Sequence, residues 1–181
     1  MHPVRTGLAI GALALLAACF MSETPFIPDN EAVRLGDGPI LVCSDDDDCG
    51  RTIPNESDNG YLMMPPPDEK DPPLPIKFAP LMDTAIGPVW LAEIDMTEED
   101  EQAYVVGVAR RAPEYDADGL TAFDIELPWC EDVSDEERDA WGIEKLDEYT
   151  CSLPAKASIA DYLRETHKGY FEDPDWWEEE N

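Results

Sequence analysis

The pattern of apolar and polar positions changes near residue 77, and three segments after it have the character of β-strands. Residues 89–95 and 103–111 are rich in β-formers, and in 120–127 apolar and acidic residues alternate. Such alternation is typical of a strand with one face in water. A helix beginning at Thr97 is the competing interpretation, but the valine-rich run that follows favours a strand. The three segments predict an antiparallel meander.

The C-terminal part has the periodicity of two helices. Ser134 and Glu137 have the spacing of a capping box, and this helix is predicted to run to about residue 149. A second helix is predicted over about 155–168. Its apolar face comprises Ile159, Tyr162, Leu163, Thr166 and Tyr170. Since one face of a sheet needs a cover, the predicted fold is a small α+β domain: a three-stranded antiparallel meander covered by two C-terminal helices.

Residues 19–76 are predicted to form an acidic, proline-rich extended stalk. They contain four aspartates at 45–48 and the run MMPPPDEKDPPLP at 63–75. Prolines at this density favour a semi-rigid spacer, and few large apolar residues offset the entropy of ordering the chain. A docking ligand for an aromatic groove is the alternative interpretation of the proline run. The remainder, 77–181, is long enough for one small globular domain with an acidic tail.

The first 18 residues have the order of a secretory signal peptide. Arg5 precedes the uncharged segment 7–18, which is too short to cross a bilayer as a helix, since a crossing needs roughly 20 residues. The segment Leu16-Ala17-Ala18-Cys19 resembles the lipobox of bacterial lipoproteins. The resemblance implies cleavage before Cys19, a diacylglycerol on its sulfur and usually a third acyl chain on its amino group. Two or more chains give stable anchoring. An ordinary cleaved signal with an incidental cysteine is the alternative.

The same resemblance implies a location. In enteric bacteria an aspartate after the acylated cysteine marks retention at the inner membrane, whereas here the next residue is Phe20. The implied location for a Gram-negative organism is therefore the outer membrane, facing the periplasm. The expected partners are the membrane itself, through the acyl chains, and another protein of the cell envelope.

The charge is strongly negative. The chain has 42 acidic and 12 basic residues, a net charge of −30. Removal of 1–18 takes away only Arg5 and leaves 11 basic against 42 acidic residues, or −31. This charge repels nucleic acid and attracts cations and basic partners. It therefore predicts no nucleic-acid partner and favours a basic protein partner, although acidity also simply keeps a surface protein soluble.

The cysteines predict disulfides. With Cys19 assigned to lipid, four remain, and an even number indicates disulfide bonds in an oxidising compartment. The short spacing within each pair favours Cys43–Cys49 and Cys130–Cys151. No two cysteines are separated by two residues, as a redox or zinc motif would require.

Residues 114–119 resemble the first half of an EF-hand calcium loop, with Glu114, Asp116 and Asp118 as candidate ligands. The segment departs from that motif because glutamate stands at the first position and Ile125 at the twelfth, where a bidentate glutamate is expected. A turn between two strands is the alternative interpretation, and it is favoured. Calcium is the only cofactor that the sequence suggests.

The acidic tail contains Trp176 and Trp177, candidate partner-binding residues because tryptophan is enriched at binding hot spots. The alternative is that they fold back on the domain. No catalytic set is predicted: the mature chain keeps one histidine, His167, and has no phosphate loop or nucleophile elbow. Three hypotheses remain. An envelope lipoprotein with a structural or interaction role is favoured over a cation-binding lipoprotein and a carboxylate-dependent hydrolase.

Overall fold

A computed structural model describes residues 20–44, 48–67, 70–98, 102–130, 133–147, 149–153 and 158–177. These residues form ten β-strands, three α-helices and two 3-10 turns. The strands are β1 (Phe20–Ser22), β2 (Ile40–Ser44), β3 (Asp48–Pro54), β4 (Tyr61–Met63), β5 (Leu74–Thr84), β6 (Gly87–Asp95), β7 (Tyr104–Arg111), β8 (Thr121–Glu126), β9 (Glu144–Lys145) and β10 (Cys151–Ser152). The helices are α1 (Asp135–Trp141), α2 (Ile159–Thr166) and α3 (Lys168–Phe171), and the 3-10 turns are Pro113–Tyr115 and Asp175–Trp177.

Seven of the strands close a β-barrel. Their order is β6-β5-β4-β3-β2-β8-β7, and β7 pairs with β6 to complete the ring. Neighbouring strands are antiparallel, except that β2 and β8 are parallel. The other three strands form a branch, in which β1 pairs with the first half of β7, and β10 and β9 follow it outward. Strand β7 therefore has β1 and β8 along one edge and β6 along the other.

The central strands are buried on both faces. In β7, Val105 and Ala109 belong to the cluster that fills the barrel, whereas Val106 and Val108 belong to a second cluster outside it. The outer cluster lies between strands β5, β6 and β7 and the apolar faces of α2 and α3. A strand covered on both faces has no need of polar alternation, which explains the nearly continuous apolar sequence of β7.

The barrel interior is narrow. A Cβ atom at Gly107 would lie 3.3 Å from Cγ1 of Ile125 and 3.4 Å from Cβ of Ala92. Barrels with about eight strands have an interior just wide enough for side chains to fill, and a seven-stranded ring is smaller. A small residue at this position lets the larger interior side chains occupy the remaining space.

The predicted α+β fold is wrong, although its three strands are present as β6, β7 and β8 and pair as a meander. The segment expected to be an extended stalk carries strands β1 to β4. Within it Tyr61 is fully buried and contacts Phe78 edge-on, with ring centroids 6.0 Å apart. Prolines do not prevent these pairings, because they lie at strand ends: Pro54 ends β3, and Pro75 is the second residue of β5.

The predicted helices are also shorter than expected. Ser134 forms the predicted capping box with Glu137, but α1 ends at Trp141, because Gly142 adopts a left-handed conformation with φ of 68°. The β9–β10 hairpin then replaces the rest of the expected helix. The second helix begins at Ile159 and is divided from α3 at His167.

Two disulfide bonds are present, which confirms that prediction. They join Cys43 to Cys49, directly opposite each other on β2 and β3, and Cys130 to Cys151. The predicted signal peptide and Cys19 lie outside the described residues, as do aspartates 45–47. Within the described residues no helix has the length and apolar character needed to cross a membrane.

Candidate functional site

A cleft of about 270 Å³ lies between the segment that follows β1, strand β5 and the first turn of α2. Apolar side chains form much of its lining, including Phe26, Ile27, Leu91, Leu153 and Ile159. Polar side chains also line it, namely Ser22, Thr24, Glu31, Ser158 and Arg164. The cleft thus combines an apolar surface with groups of both charges.

Glu93 of β6 holds one wall of the cleft in place. Its Oε2 atom accepts hydrogen bonds from the backbone N–H groups of Phe26, at 2.5 Å, and Ile27, at 2.7 Å. The side chain lies on the outer face of β6 and is only 3% exposed. Burial raises the pKa of Glu93, and the two backbone hydrogen bonds oppose this rise without cancelling it. A buried carboxylate therefore fixes the segment after β1 to the barrel.

Two further contacts attach the same segment to β5. The ammonium of Lys77 lies 2.6 Å from Oδ1 of Asp29, and the backbone N–H of Val33 donates to the carbonyl of Phe78 at 2.8 Å. The salt bridge is solvent-exposed on the aspartate side, so it adds at most about 1 kcal/mol. Most of the positioning therefore comes from Glu93 and the backbone contact.

The opposite wall is the first half of α2. Ser158 caps this helix, since its hydroxyl accepts a hydrogen bond from the N–H of Asp161 at 3.2 Å. Arg164 reaches the sheet, where its Nε donates to the carbonyl of Leu81 at 2.7 Å, and its Nη1 donates to Asp161 at 2.9 Å. The guanidinium thus connects the helix with β5 at the border of the cleft.

The size and lining of the cleft suit binding of a small group. Pockets for drug-sized ligands usually have volumes of roughly 300–1,000 Å³, and this cleft lies just below that range. It has room for one side chain of a partner, whose apolar part would contact Phe26 and Ile159. The carboxylate of Glu31 adds negative charge to the lining, whereas the positive charge of Arg164 is paired with Asp161. A basic partner residue with a long apolar stem fits this combination.

The structure does not bring the three predicted calcium ligands together. Asp116 accepts hydrogen bonds from Nη2 of Arg111 at 2.5 Å and from the N–H of Ala122 at 2.8 Å, and these contacts lower its pKa. Oε1 of Glu114 lies 3.9 Å from Nη2 of Arg110. Within the described part of the chain, no group of three or more His, Cys, Asp or Glu side chains is placed to hold a metal ion.

The same loop is built as a tight turn. Ala117 and Leu120 form a β-bridge, and between them Asp118 and Gly119 have φ angles of 55° and 78°. Aspartate and glycine tolerate this left-handed conformation, which a two-residue hairpin turn requires at both central positions. The residues of the calcium-like motif therefore have a structural role between β7 and β8.

The two tail tryptophans pack against the domain. Trp177 is 4% exposed and lies beneath the guanidinium of Arg110, which is 5.0 Å from the ring centroid. Trp176 meets Trp177 edge-on at 4.8 Å and remains partly exposed. Their predicted role in partner binding stays a prediction.

Sequence reasoning missed Glu93, Glu31 and Arg164. Glu93 had a signal, because it is a charged residue inside the otherwise apolar run of β6. A charge on a strand that is buried on both faces must find hydrogen-bond partners. The partner amides, however, lie more than sixty residues earlier in the chain. Glu31 and Arg164 had no comparable signal among so many charged residues.

Comparison with known proteins adds no relative. The chain matches no protein-family model, no curated protein and no solved structure. Its function is therefore inferred from its own residues and fold.

Replacement of Glu93 by glutamine should change how stability depends on pH. Because the folded pKa is raised above the unfolded value, the native state binds more protons between these two values. The contribution of Glu93 to the free energy of unfolding is thus most favourable at acidic pH, and it is lost as the pH rises through the folded pKa. As the pH rises from the ordinary pKa of glutamate through the raised pKa of Glu93, the wild type should lose more thermal stability than Glu93→Gln. The exposed Glu165→Gln is the control, and parallel curves for the wild type and Glu93→Gln would contradict the prediction.

Proposed function

We propose that this protein is a lipid-anchored lipoprotein of the bacterial cell envelope. Acyl chains on Cys19 hold it in the membrane. Because Phe20 and not an aspartate follows Cys19, this membrane is the outer membrane, and the domain lies in the periplasm. Its acidic barrel has a structural or interaction role and binds a basic region of another envelope protein. The observation that carries this proposal is the lipobox-like segment Leu16-Ala17-Ala18-Cys19, which directly precedes β1 in the sequence.

The position of β1 supports the anchor. Phe20 has no exposed surface, packs against Tyr162 with ring centroids 5.5 Å apart, and pairs with Cys151. The domain therefore needs its chain from residue 20 onward, and cleavage before Cys19 would remove none of the described residues. The two disulfides support an oxidising compartment, where such bonds form and persist.

The charge and the cleft support the interaction role. The net charge of the mature chain attracts basic surfaces over distances of about 8–10 Å at physiological salt. The cleft offers a bordering carboxylate, Glu31, beside an apolar lining. The calcium-binding and hydrolase alternatives stay predictions, and nothing in the described part of the chain argues for either.

The anchor is tested by replacing Cys19 with alanine. We expect complete loss of incorporation of an alkyne-tagged fatty acid and loss of the protein from the membrane fraction, because the acyl chains have no other attachment site. The double variant Cys43→Ala/Cys49→Ala is the control that removes cysteines but keeps the anchor. Fatty-acid labelling that persists in Cys19→Ala would sink the proposal, and so would an intact mass showing that residues 1–18 remain in the wild type.

The interaction role is tested by photo-crosslinking in intact cells. A benzophenone amino acid replaces Thr24, which is exposed and lines the cleft, or Arg51, which is exposed on β3 and does not line it. We expect one envelope protein to be crosslinked at position 24 and not at position 51. The amount crosslinked at position 24 should decrease when Glu31 is changed to lysine. Equal capture from both positions would show that the cleft does not bind the partner.

A further inference from the structure

Two large apolar side chains are exposed at the tip of the β9–β10 hairpin. Leu146 is 55% exposed and Tyr149 is 41% exposed. Single exposed apolar residues are ordinary, whereas two on one short turn mark that turn as a candidate contact surface. The register of strands β1 and β10 indicates which surface this turn contacts.

The hairpin tip lies at the same end of the sheet as the proposed lipid anchor. Strand β1 is parallel to β10, with Phe20 paired to Cys151 and Met21 paired to Ser152. The residues that precede Phe20 and Cys151 are therefore directed toward the same end. The Cα of Tyr149 lies no more than about 13 Å from that of Phe20, the residue bonded to Cys19, given about 3.8 Å per peptide and about 5 Å between strands.

The described residues of the tip are joined by hydrogen bonds. Oδ1 of Asp147 accepts hydrogen bonds from the N–H groups of Tyr149 and Thr150, both at 2.8 Å, and the N–H of Leu146 donates to the carbonyl of Thr150 at 2.9 Å. At the base of the hairpin, Cys151 is bonded to Cys130. Leu146 and Tyr149 are therefore held next to β10, the strand that pairs with β1.

The residue types of the tip suit the interfacial layer of a membrane. Tyrosine is enriched there because its ring is apolar and its hydroxyl remains hydrated. The exposed Lys145 precedes the tip, and a lysine at this depth reaches lipid phosphates. Glu144, Asp147 and Glu148 are acidic, and the whole chain is strongly acidic, so the fitting surface is a zwitterionic leaflet rather than an anionic one.

We propose that the β9–β10 hairpin is a second membrane contact. Leu146 and Tyr149 enter the interfacial layer of the leaflet that holds the acyl chains of Cys19, and the barrel lies directly against the membrane. This inference rests on the lipid anchor proposed above and adds the orientation of the domain. The partner of the hairpin is the lipid surface itself.

The test is crosslinking to lipid in vesicles. The full, acylated protein carries a benzophenone amino acid at position 146 or at position 64 and is reconstituted into phosphatidylcholine vesicles that contain an alkyne-tagged phosphatidylcholine. Met64 is the matched control, because it is also apolar and is 37% exposed. It follows Met63, which pairs with Leu74 at the start of β5, so it lies toward the other end of the sheet. Ile86 is unsuitable, since it lies at the anchor end.

We expect several-fold more lipid adduct at position 146 than at position 64, and a loss of this difference when Tyr149 is changed to glutamate in the same protein. Equal adduct at both positions in a protein with the acyl mass would overturn the hairpin contact and leave the anchor standing. A protein that lacks the acyl mass would overturn the anchor and with it this placement of the hairpin. Intact mass and lipid adduct are measured on the same sample, so the two failures are distinguished.

Discussion

Replacement of Tyr162 by alanine is expected to lower the free energy of unfolding by about 3–5 kcal/mol, as for other large aromatic side chains in a core. Tyr162 is 1% exposed and lies where the helices meet the branch of the sheet. Its ring is 5.5 Å from that of Phe20, 5.5 Å from that of Trp141 and 5.4 Å from that of His167. Truncation removes apolar contact with all three and leaves a cavity in the outer core, into which the surroundings relax only in part.

Urea denaturation of the purified protein gives this free energy directly. Tyr170→Ala is the matched control, since Tyr170 belongs to the adjoining helix α3 and is 44% exposed. Its loss should change the free energy of unfolding by no more than about 1 kcal/mol. Equal losses in the two variants would show that Tyr162 does not hold the helices to β1.

Removal of the Cys130–Cys151 disulfide, by alanine at both positions, is expected to lower the free energy of unfolding by about 3 kcal/mol. The bond closes a loop with a sequence separation of 21, whereas Cys43–Cys49 closes one of 6. On the chain-entropy model the shorter loop contributes about 2 kcal/mol. Both cysteines of the longer loop are also buried in the outer core, so their loss removes packing as well.

The same substitutions at Cys43 and Cys49 are the control for this prediction. Thermal melting without reductant should show the larger decrease for the Cys130–Cys151 variant. A larger decrease for the Cys43–Cys49 variant would mean that the bond between adjacent strands β2 and β3 contributes more than loop length implies.

Local features of the chain were predictable from sequence. The runs of β6, β7 and β8 have strong β-propensity, and the capping box of α1 depends on two residues that are three apart. The cysteine pairs followed from spacing alone. In each case the residues that determine the structure are close together in the sequence, so their physical interaction is visible in a short window.

Closure of the barrel was not predictable in this way. Strands β1, β4, β9 and β10 have two or three residues each, too few to show a period. Strand β2 is a short apolar run next to the four aspartates at 45–48, and its parallel partner β8 is far along the chain. The cleft was unpredictable for the same reason. One of its walls depends on hydrogen bonds that Glu93 accepts from the N–H groups of Phe26 and Ile27, and these residues belong to the segment expected to be a stalk.

Ring closure determines the order in which this protein can fold. Strand β2 can pair with β3 as soon as both exist, but Ile40 finds its second partner only at Thr121. Until then the free edge of β2 presents unpaired backbone groups to any neighbouring chain. Folds with such distant pairings form slowly, in milliseconds to seconds. A substitution that delays β8 therefore increases aggregation of the newly made chain even where the finished barrel is as stable as before.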